Sequence, residues 1–222
     1  MFHKHIIENK LAQKIVHFSA LSGGDINQVF KIKTNNNTFV VKINIESLFP
    51  QMFEKESFGL NLLEKTGIKT PKVIVEFAKD KMQYLLLEYI EVEKKTSQFW
   101  TNFATDLAKL HKTQNDFIGL ETDNYIGSLV QKNTKKTNWE DFFIENRISP
   151  LVKRGFDKGL LQSHHVQGFE NLYTKLTEII PKEKPSLLHG DLWSGNLMTG
   201  KNQCPVFIDR QFILEIGKWI LP

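Results

Sequence analysis

The stretch from residue 187 to residue 209 constrains this chain more than any other part of its sequence. It contains Asp191, then Asn196 five positions later, and then Asp209, which directly follows the apolar run 206–208. Carboxylate and amide oxygens are ligands for hard divalent cations, and a carboxylate can also accept a proton from a reacting group. Gly, Asp, Ser and Asn are also common in ordinary turns, so the rest of the chain has to decide between a site and a turn.

The spacing of these three residues resembles the arrangement that kinase-like phosphotransferases use. In such enzymes one carboxylate accepts or orients the proton of the attacking hydroxyl. An amide oxygen and a second carboxylate hold the metal ion that bridges the nucleotide phosphates. The pattern therefore makes Asp191 the candidate catalytic base, and it makes Asn196 and Asp209 the candidate ligands of Mg²⁺.

Composition limits the class of protein. A length of 222 residues suits one large domain or two lobes. The net charge of +4 is mild, and no basic stripe interleaved with aromatic residues indicates a nucleic-acid partner. A single cysteine excludes an intrachain disulfide and is typical of a cytoplasmic protein. We expect neither a secretion signal nor a membrane span, because no apolar run reaches about 20 residues.

Three strands joined by turns are predicted in the N-terminal part of the chain, at 15–20, 30–33 and 39–43. The first turn contains Gly23, Gly24 and Asn27, and glycines there let backbone amides approach phosphate oxygens. Lys42 alternates with apolar neighbours on the third strand. It is expected to pair with the nucleotide phosphates, and the alternative is a solvent-facing lysine at a sheet edge.

A helix is predicted over residues 53–65, and it should carry the carboxylate that orients Lys42. Glu56 is the preferred partner and Glu54 is the competitor. Two further strands, 73–75 and 84–90, should form a hairpin and complete a five-stranded antiparallel sheet with one helix.

The segment 88–90 falls where a hinge would present backbone groups to an adenine, so Glu88 and Ile90 are candidate nucleotide contacts. Helices are predicted beyond it at 97–111, 139–152 and 166–180. The chain is therefore expected to have an α+β, protein-kinase-like fold with a nucleotide-binding lobe (1–90) and a mainly helical lobe (91–222). The catalytic loop would be 187–197, and Met198 and Cys204 are expected only to pack.

The chain resembles one family in particular, the fructosamine kinases (ketosamine-3-kinases), which are relatives of aminoglycoside and choline kinases. The most specific piece is 188–196, Leu-His-Gly-Asp-Leu-Trp-Ser-Gly-Asn, whose Leu-Trp-Ser-Gly part is more typical of this family than of its relatives. A second piece is Asn-Tyr-Ile-Gly-Ser at 124–128, followed by an aromatic pattern at 139–143. The turn 23–27 matches the nucleotide loop of the family, and the resemblance covers 21–209.

This resemblance implies ATP-dependent, Mg²⁺-assisted phosphorylation of a sugar hydroxyl on a ketosamine, carried by a small amine or a protein, which labilises the glycation adduct. It implies that Asp191 is the base and that Trp193 lines the sugar site, although Trp193 is also suited to packing within its loop. An aminoglycoside- or choline-kinase-like activity and an inactive, truncated pseudokinase are the alternatives. The oligomeric state is not predicted.

The chain departs from the family pattern after Asp209. The family continues Asp-Pro-Ala-x-Tyr-x-Gly-x-x-Glu-x-Asp and then several helices, whereas residues 210–222 follow another pattern. Restoring one C after the Asp209 codon lets the same bases be read as Asp-Pro-Ala-Val-Tyr-Phe-Gly-Asn-Arg-Glu-Met-Asp-Ile-Ala. Most of these codons involve a choice among synonyms, but the last Asp does not, because the bases at Trp219 and Ile220 must read GAT. We therefore hypothesise a frameshift that leaves the C-terminal lobe incomplete and the activity weak or absent.

Sequencing the gene across the Asp209 codon tests this hypothesis. The expected result is one additional C in a corrected read or in independent isolates, followed by the family pattern. An intact frame that ends at Pro222 in independent isolates would show that the tail is genuine.

Overall fold

The computed structural model describes residues 2–21, 26–180 and 182–208, and the backbone of the strand 213–215. The chain forms two compact units. The first consists of Met1–Leu107 and Asp191–Arg210, and the second of Ala108–Gly190 and Gln211–Pro222. The two lobes predicted from the sequence, 1–90 and 91–222, divide the chain at a different point, and that boundary stays a prediction.

The first unit is built on a five-stranded antiparallel sheet with the strand order β1-β2-β3-β5-β4. Its strands are β1 (Ile15–Ala20), β2 (Gln28–Thr34), β3 (Thr38–Ile45), β4 (Val73–Lys79) and β5 (Met82–Glu88). Three hairpins join β1 to β2, β2 to β3 and β4 to β5, as the turn residues predict. In the β4–β5 turn, Asp80 and Lys81 both have positive φ, the geometry that suits a two-residue hairpin.

One face of this sheet forms a core of fully buried side chains, which includes Ile32, Val41 and Leu86. Helix α1 (Phe2–Leu11) contributes Ile7 to the same core. His3 on α1 shares a hydrogen bond of 2.9 Å with the hydroxyl of Tyr84. Burial lowers the pKa of His3, with a further contribution from the positive N-terminus. The N-terminal helix is therefore part of the folded unit, a point that the sequence left open.

Helix α2 (Met52–Lys65) buries one stripe and exposes the other, as its helical spacing predicts. The buried stripe includes Phe53, Leu60 and Leu63. Gln83 of β5 holds the segment that precedes α2, because its side-chain amide donates a hydrogen bond of 2.7 Å to the Phe49 carbonyl. The helix is thereby held against the sheet strand that neighbours β3.

A short hairpin, β9 (Leu197–Gly200) and β10 (Cys204–Phe207), also belongs to the first unit. Backbone hydrogen bonds tie it there, from Glu93 N–H to Thr199 O at 2.8 Å and from Phe207 N–H to Lys69 O at 3.0 Å. These bonds explain why the segment after residue 190 groups with the sheet rather than with the helices that precede it.

The second unit is mainly helical. It begins within α3 (Ser97–His111), and its other described elements are short: β6 (Asn124–Ile126), β7 (Leu129–Gln131), α4 (Trp139–Phe143), α5 (Ser149–Asp157), α6 (Ser163–Tyr173), α7 (Leu176–Ile179), β8 (Ser186–Leu188) and β11 (Ile213–Glu215). Its core packs Ile118, Trp139, Phe142 and Leu188 together. The hairpin of β6 and β7 was not predicted from the sequence.

Several predicted elements differ from the observed ones. The strand predicted to reach residue 90 ends at Glu88, where the pairing with Phe39 of β3 ends. The helix predicted over 139–152 contains a π-helical turn, Ile144–Ile148, before Pro150, which has no N–H to continue the ladder. The helix predicted over 166–180 is two helices, α6 and α7.

None of the helices in the described part of the chain combines the length and the apolar character that crossing a membrane requires.

Candidate active site

A buried ion pair joins the sheet of the first unit to helix α2. The ammonium of Lys42 on β3 lies 2.9 Å from Oε1 of Glu56 on α2, and both residues are only 8% exposed. A charge removed from water is tolerated in such a place when an opposite charge and hydrogen bonds compensate for the lost hydration. The predicted pair is therefore present, and it fixes the position of a cation.

The local fold explains why Glu56 and not Glu54 makes this contact. Met52, Phe53 and Leu60 face the interior of the unit, and Glu56 lies on the same stripe of α2. Glu54 lies on the exposed side of the helix. The choice that the sequence left open is decided by helical phase.

The Lys42–Glu56 pair lies in the wall of a cavity of about 580 Å³, whose lining residues all belong to the first unit. This volume is within the usual range of small-molecule sites. Most of the lining is apolar, and it includes Val29, Val40, Leu87, Met198 and Ile208. The cavity therefore combines an apolar slot with a fixed positive charge, as a nucleotide requires.

Asn196, a predicted metal ligand, lies in the same cavity wall and is buried. Its amide nitrogen donates to the Asp191 carboxylate at 2.8 Å and to the Asp191 carbonyl at 2.9 Å. The predicted base is thus held against the predicted ligand. With the nitrogen used in these bonds, Oδ1 of Asn196 is the atom that can serve as a ligand.

Asp191 is exposed, and it is joined to the cavity through Asn196. The glycine before it is required by the backbone, because Gly190 has a φ of 78°, in the left-handed region that side chains disfavour. This turn presents the Asp191 carboxylate on the surface, where an acceptor can reach it.

The other predicted metal ligand, Asp209, lies outside the described residues. The residue before it is described: the N–H of Ile208 donates to the carbonyl of Asn196 at 3.0 Å. The backbone that leads to Asp209 is therefore bonded directly to the residue expected to share the metal.

The predicted nucleotide loop is described only in part, because Gly23 and Gly24 lie outside the described residues. Asn27 is half-buried, and its side-chain oxygen accepts a hydrogen bond of 2.6 Å from the Asn44 amide on β3. The end of the loop is thereby fixed to the strand that carries Lys42.

Both predicted hinge residues, Glu88 and Ile90, line the cavity. The Glu88 carboxylate contacts the ammonium of Lys69 at 3.1 Å and accepts from the N–H of Lys72 at 3.2 Å. Next to it, the Tyr89 ring lies 3.9 Å from the ammonium of Lys31, a cation–π contact that the sequence did not predict. These contacts hold the segment that would face a base.

Two further residues line the cavity, one that the sequence predicted to lie in a site and one that it did not. Trp193, the candidate for the sugar site, lines the cavity although the residue is 60% exposed. Met198, which was expected only to pack, is part of the lining as well.

The donor set determines whether Mg²⁺ fits here. Among the residues that the structure describes, no group of three or more His, Cys, Asp or Glu could hold a metal ion by itself. Mg²⁺ commonly takes only one or two protein ligands and completes its shell with water and phosphate oxygens. The Asn196 amide oxygen, in the cavity that Lys42 also lines, fits such a shared site.

The model of the family described as fructosamine kinase matches residues 2–213. The chain belongs to the fructosamine kinase family. The membership confirms the family expected from the motifs at 188–196 and 124–128.

Curated members of the family are similar over most of this chain. A probable ketoamine kinase from Enterococcus faecium is 32% identical over 191 residues, which cover 84% of this chain and 66% of the relative. Protein-ribulosamine 3-kinase of Arabidopsis thaliana chloroplasts is 31% identical over 214 residues, which cover 92% of this chain and 64% of the relative. The chain therefore spans about two thirds of the length of these fructosamine kinase relatives.

Solved structures confirm the kinase-like α+β fold. The crystal structure assigned to fructosamine-3-kinase from Haemophilus somnus has a TM-score of 0.83 at 29% identity and matches 96% of this chain and 72% of the other. An aminoglycoside phosphotransferase in complex with AMP-PNP and hygromycin B has a TM-score of 0.66 at 14% identity, with 97% and 73% covered. The second likeness shows the fold alone.

Removing the Glu56 carboxylate tests the ion pair. Glu56→Gln leaves the buried ammonium of Lys42 without its anion, so we expect the free energy of unfolding to fall by about 3 kcal/mol. Urea titration followed by circular dichroism measures this change.

The matched control is Glu54→Gln, on the exposed side of the same helix. It removes one carboxylate from the first turn and should cost less than about 1 kcal/mol. Equal losses in the two variants would contradict the assignment of Glu56 as the partner.

Proposed function

We propose that the chain transfers the γ-phosphoryl group of ATP to a sugar hydroxyl of a ketosamine, the rearranged adduct of a sugar and an amine. The observation that carries this proposal is the joining of Lys42, Glu56 and Asn196 in one cavity, with Asp191 hydrogen-bonded to Asn196. Membership of the fructosamine kinase family supports the substrate class.

On the nucleotide side, the base would lie in the apolar slot between Val40, Leu87 and Met198. Backbone groups at Glu88 and Ile90 would face its polar edge. The Lys42 ammonium, held by Glu56, would pair with the α- and β-phosphates, since a fixed cation stabilises phosphate charge without reorganisation during the reaction.

Asn196, with Asp209 as its proposed partner, would hold Mg²⁺. When bound there, the ion would neutralise negative charge on the nucleotide phosphates. The hydrogen bonds from the Asn196 nitrogen to Asp191 keep the amide oxygen available for this task.

On the acceptor side, the sugar hydroxyl oxygen attacks the γ-phosphorus. A new P–O bond forms, the bond to the β–γ bridging oxygen breaks, and ADP leaves. The proton of the hydroxyl passes to the Asp191 carboxylate, which is exposed and held in position by Asn196. Trp193 would pack its ring on the C–H face of the sugar.

The acceptor is proposed to be a ketosamine on a small amine or on a protein, and the setting is proposed to be cytoplasmic. The single cysteine supports a reducing setting.

Replacing the base tests the reaction. Asp191→Asn keeps an oxygen that can accept from Asn196 but cannot take the proton, so phosphorylation of a ketosamine should fall by about 100-fold or more. The rise in melting temperature produced by ATP with Mg²⁺ should remain. Phosphate transfer is measured by ³¹P NMR of the sugar phosphate.

Asp157→Asn is the control, because it removes a surface carboxylate paired with Lys153 on α5. It should leave the rate unchanged. A panel of ketosamine, aminoglycoside and choline acceptors separates the related activities. Stabilisation by ATP with Mg²⁺ but no transfer to any acceptor would overturn the proposed reaction and leave a nucleotide-binding protein.

A further inference from the structure

The loop between Asp191 and Asn196 places an indole against a glycine. Trp193 has an extended backbone, with a φ of −140° and a ψ of 174°, and it precedes a single 3₁₀ turn, Ser194–Asn196. The turn closes with a hydrogen bond of 3.0 Å from the Asn196 N–H to the Trp193 carbonyl. This geometry folds the Trp193 ring back over Gly195.

The contact between the two residues leaves no room for a side chain at position 195. A Cβ built on Gly195 would lie closer than 3.0 Å to three atoms of the Trp193 ring, Cη2, Cζ2 and Cζ3. These are the three nearest atoms, and real Cβ atoms essentially never approach so closely. The six-membered ring of the indole therefore lies on the bare α-carbon of Gly195.

The backbone does not itself require glycine at this position. Gly190 has a φ of 78°, but Gly195 is not among the described residues with positive φ. An alanine could adopt the same backbone conformation, so the indole is what excludes a methyl group. This separates Gly195 from the glycines whose role is conformational.

The indole is largely exposed. Trp193 is 60% exposed, so no apolar core encloses it, and Trp193 and Gly195 both line the cavity that contains Lys42 and Asn196. The part of the ring that meets Gly195 is covered by this contact, and the exposure of Trp193 leaves other ring surface accessible to a ligand. This position of the ring therefore requires that residue 195 has no side chain.

We infer that Gly195 is a positioning residue, which seats the Trp193 indole so that its open face forms one wall of the acceptor subsite. The identity of the acceptor as a ketosamine rests on the proposed function, whereas the seating of the ring does not. The C–H face of a sugar packs on an aromatic face, and the orientation of that face then determines how well the acceptor binds.

Gly195→Ala should displace the indole from its position over residue 195 without unfolding the loop, because the displaced group is the far end of an exposed side chain. The KM for the ketosamine should rise by about threefold to tenfold, while kcat and the KM for ATP change little. A general loss of loop structure would instead lower kcat, since Asp191 and Asn196 belong to the same loop.

The test is a double-mutant cycle of wild type, Gly195→Ala, Trp193→Ala and the double variant. The first readout is acrylamide quenching of tryptophan fluorescence, which needs no substrate. Gly195→Ala should raise the Stern–Volmer constant in the presence of Trp193 and leave it unchanged in the Trp193→Ala background. The ketosamine KM should follow the same pattern.

Gly168→Ala is the matched control, because a Cβ built there on α6 meets nothing within 4 Å. It should alter neither readout. An equal effect of Gly195→Ala in both backgrounds, or no effect on the quenching of Trp193, would overturn the inference. If wild type phosphorylates no ketosamine while the quenching cycle is non-additive, the positioning of the Trp193 ring by Gly195 is confirmed and the proposed function is wrong.

Discussion

The buried ion pair between Lys42 and Glu56 is the interaction on which the rest of the site depends. A lysine inside a sheet is unfavourable unless a carboxylate accompanies it, so the pair requires α2 to lie against β3 with one helical phase. The same requirement fixes a cation in the wall of an otherwise apolar cavity. The Glu56 carboxylate stabilises the Lys42 ammonium in the fold. In the proposed reaction, the same contact orients the ammonium toward a phosphate.

Asn196 connects the other parts of the site in a comparable way. Its nitrogen holds the Asp191 carboxylate and carbonyl, and its own carbonyl accepts from Ile208. One residue therefore connects the proposed base with the backbone that leads to Asp209. Trp193 and Gly195 lie between these anchors, so the ring over Gly195 is carried by a loop that is fixed at both ends.

Prediction from sequence succeeded where a residue's chemistry and the period of its element agreed. Lys42 on a strand and Glu56 on a buried helical stripe form the predicted pair, and the hairpin of β4 and β5 forms across the predicted turn at Asp80. It did not succeed where the outcome depended on contacts distant in the chain. The cation–π contact of Lys31 with Tyr89 joins residues 58 positions apart, and no local pattern in the sequence predicts it. The role of Met198 in the cavity was missed because apolar residues in cores and in ligand sites look alike in sequence.

The central claim is that the cavity of the first unit binds nucleotide phosphates through Lys42. Isothermal titration of AMP-PNP with Mg²⁺ measures this directly, for wild type, for Lys42→Met and for the exposed control Lys33→Met. A hydrogen bond to a charged group contributes about 1.5–3 kcal/mol, so the Kd should rise by about tenfold to 100-fold in Lys42→Met and stay unchanged in the control. Equal affinities in all three proteins would contradict the account.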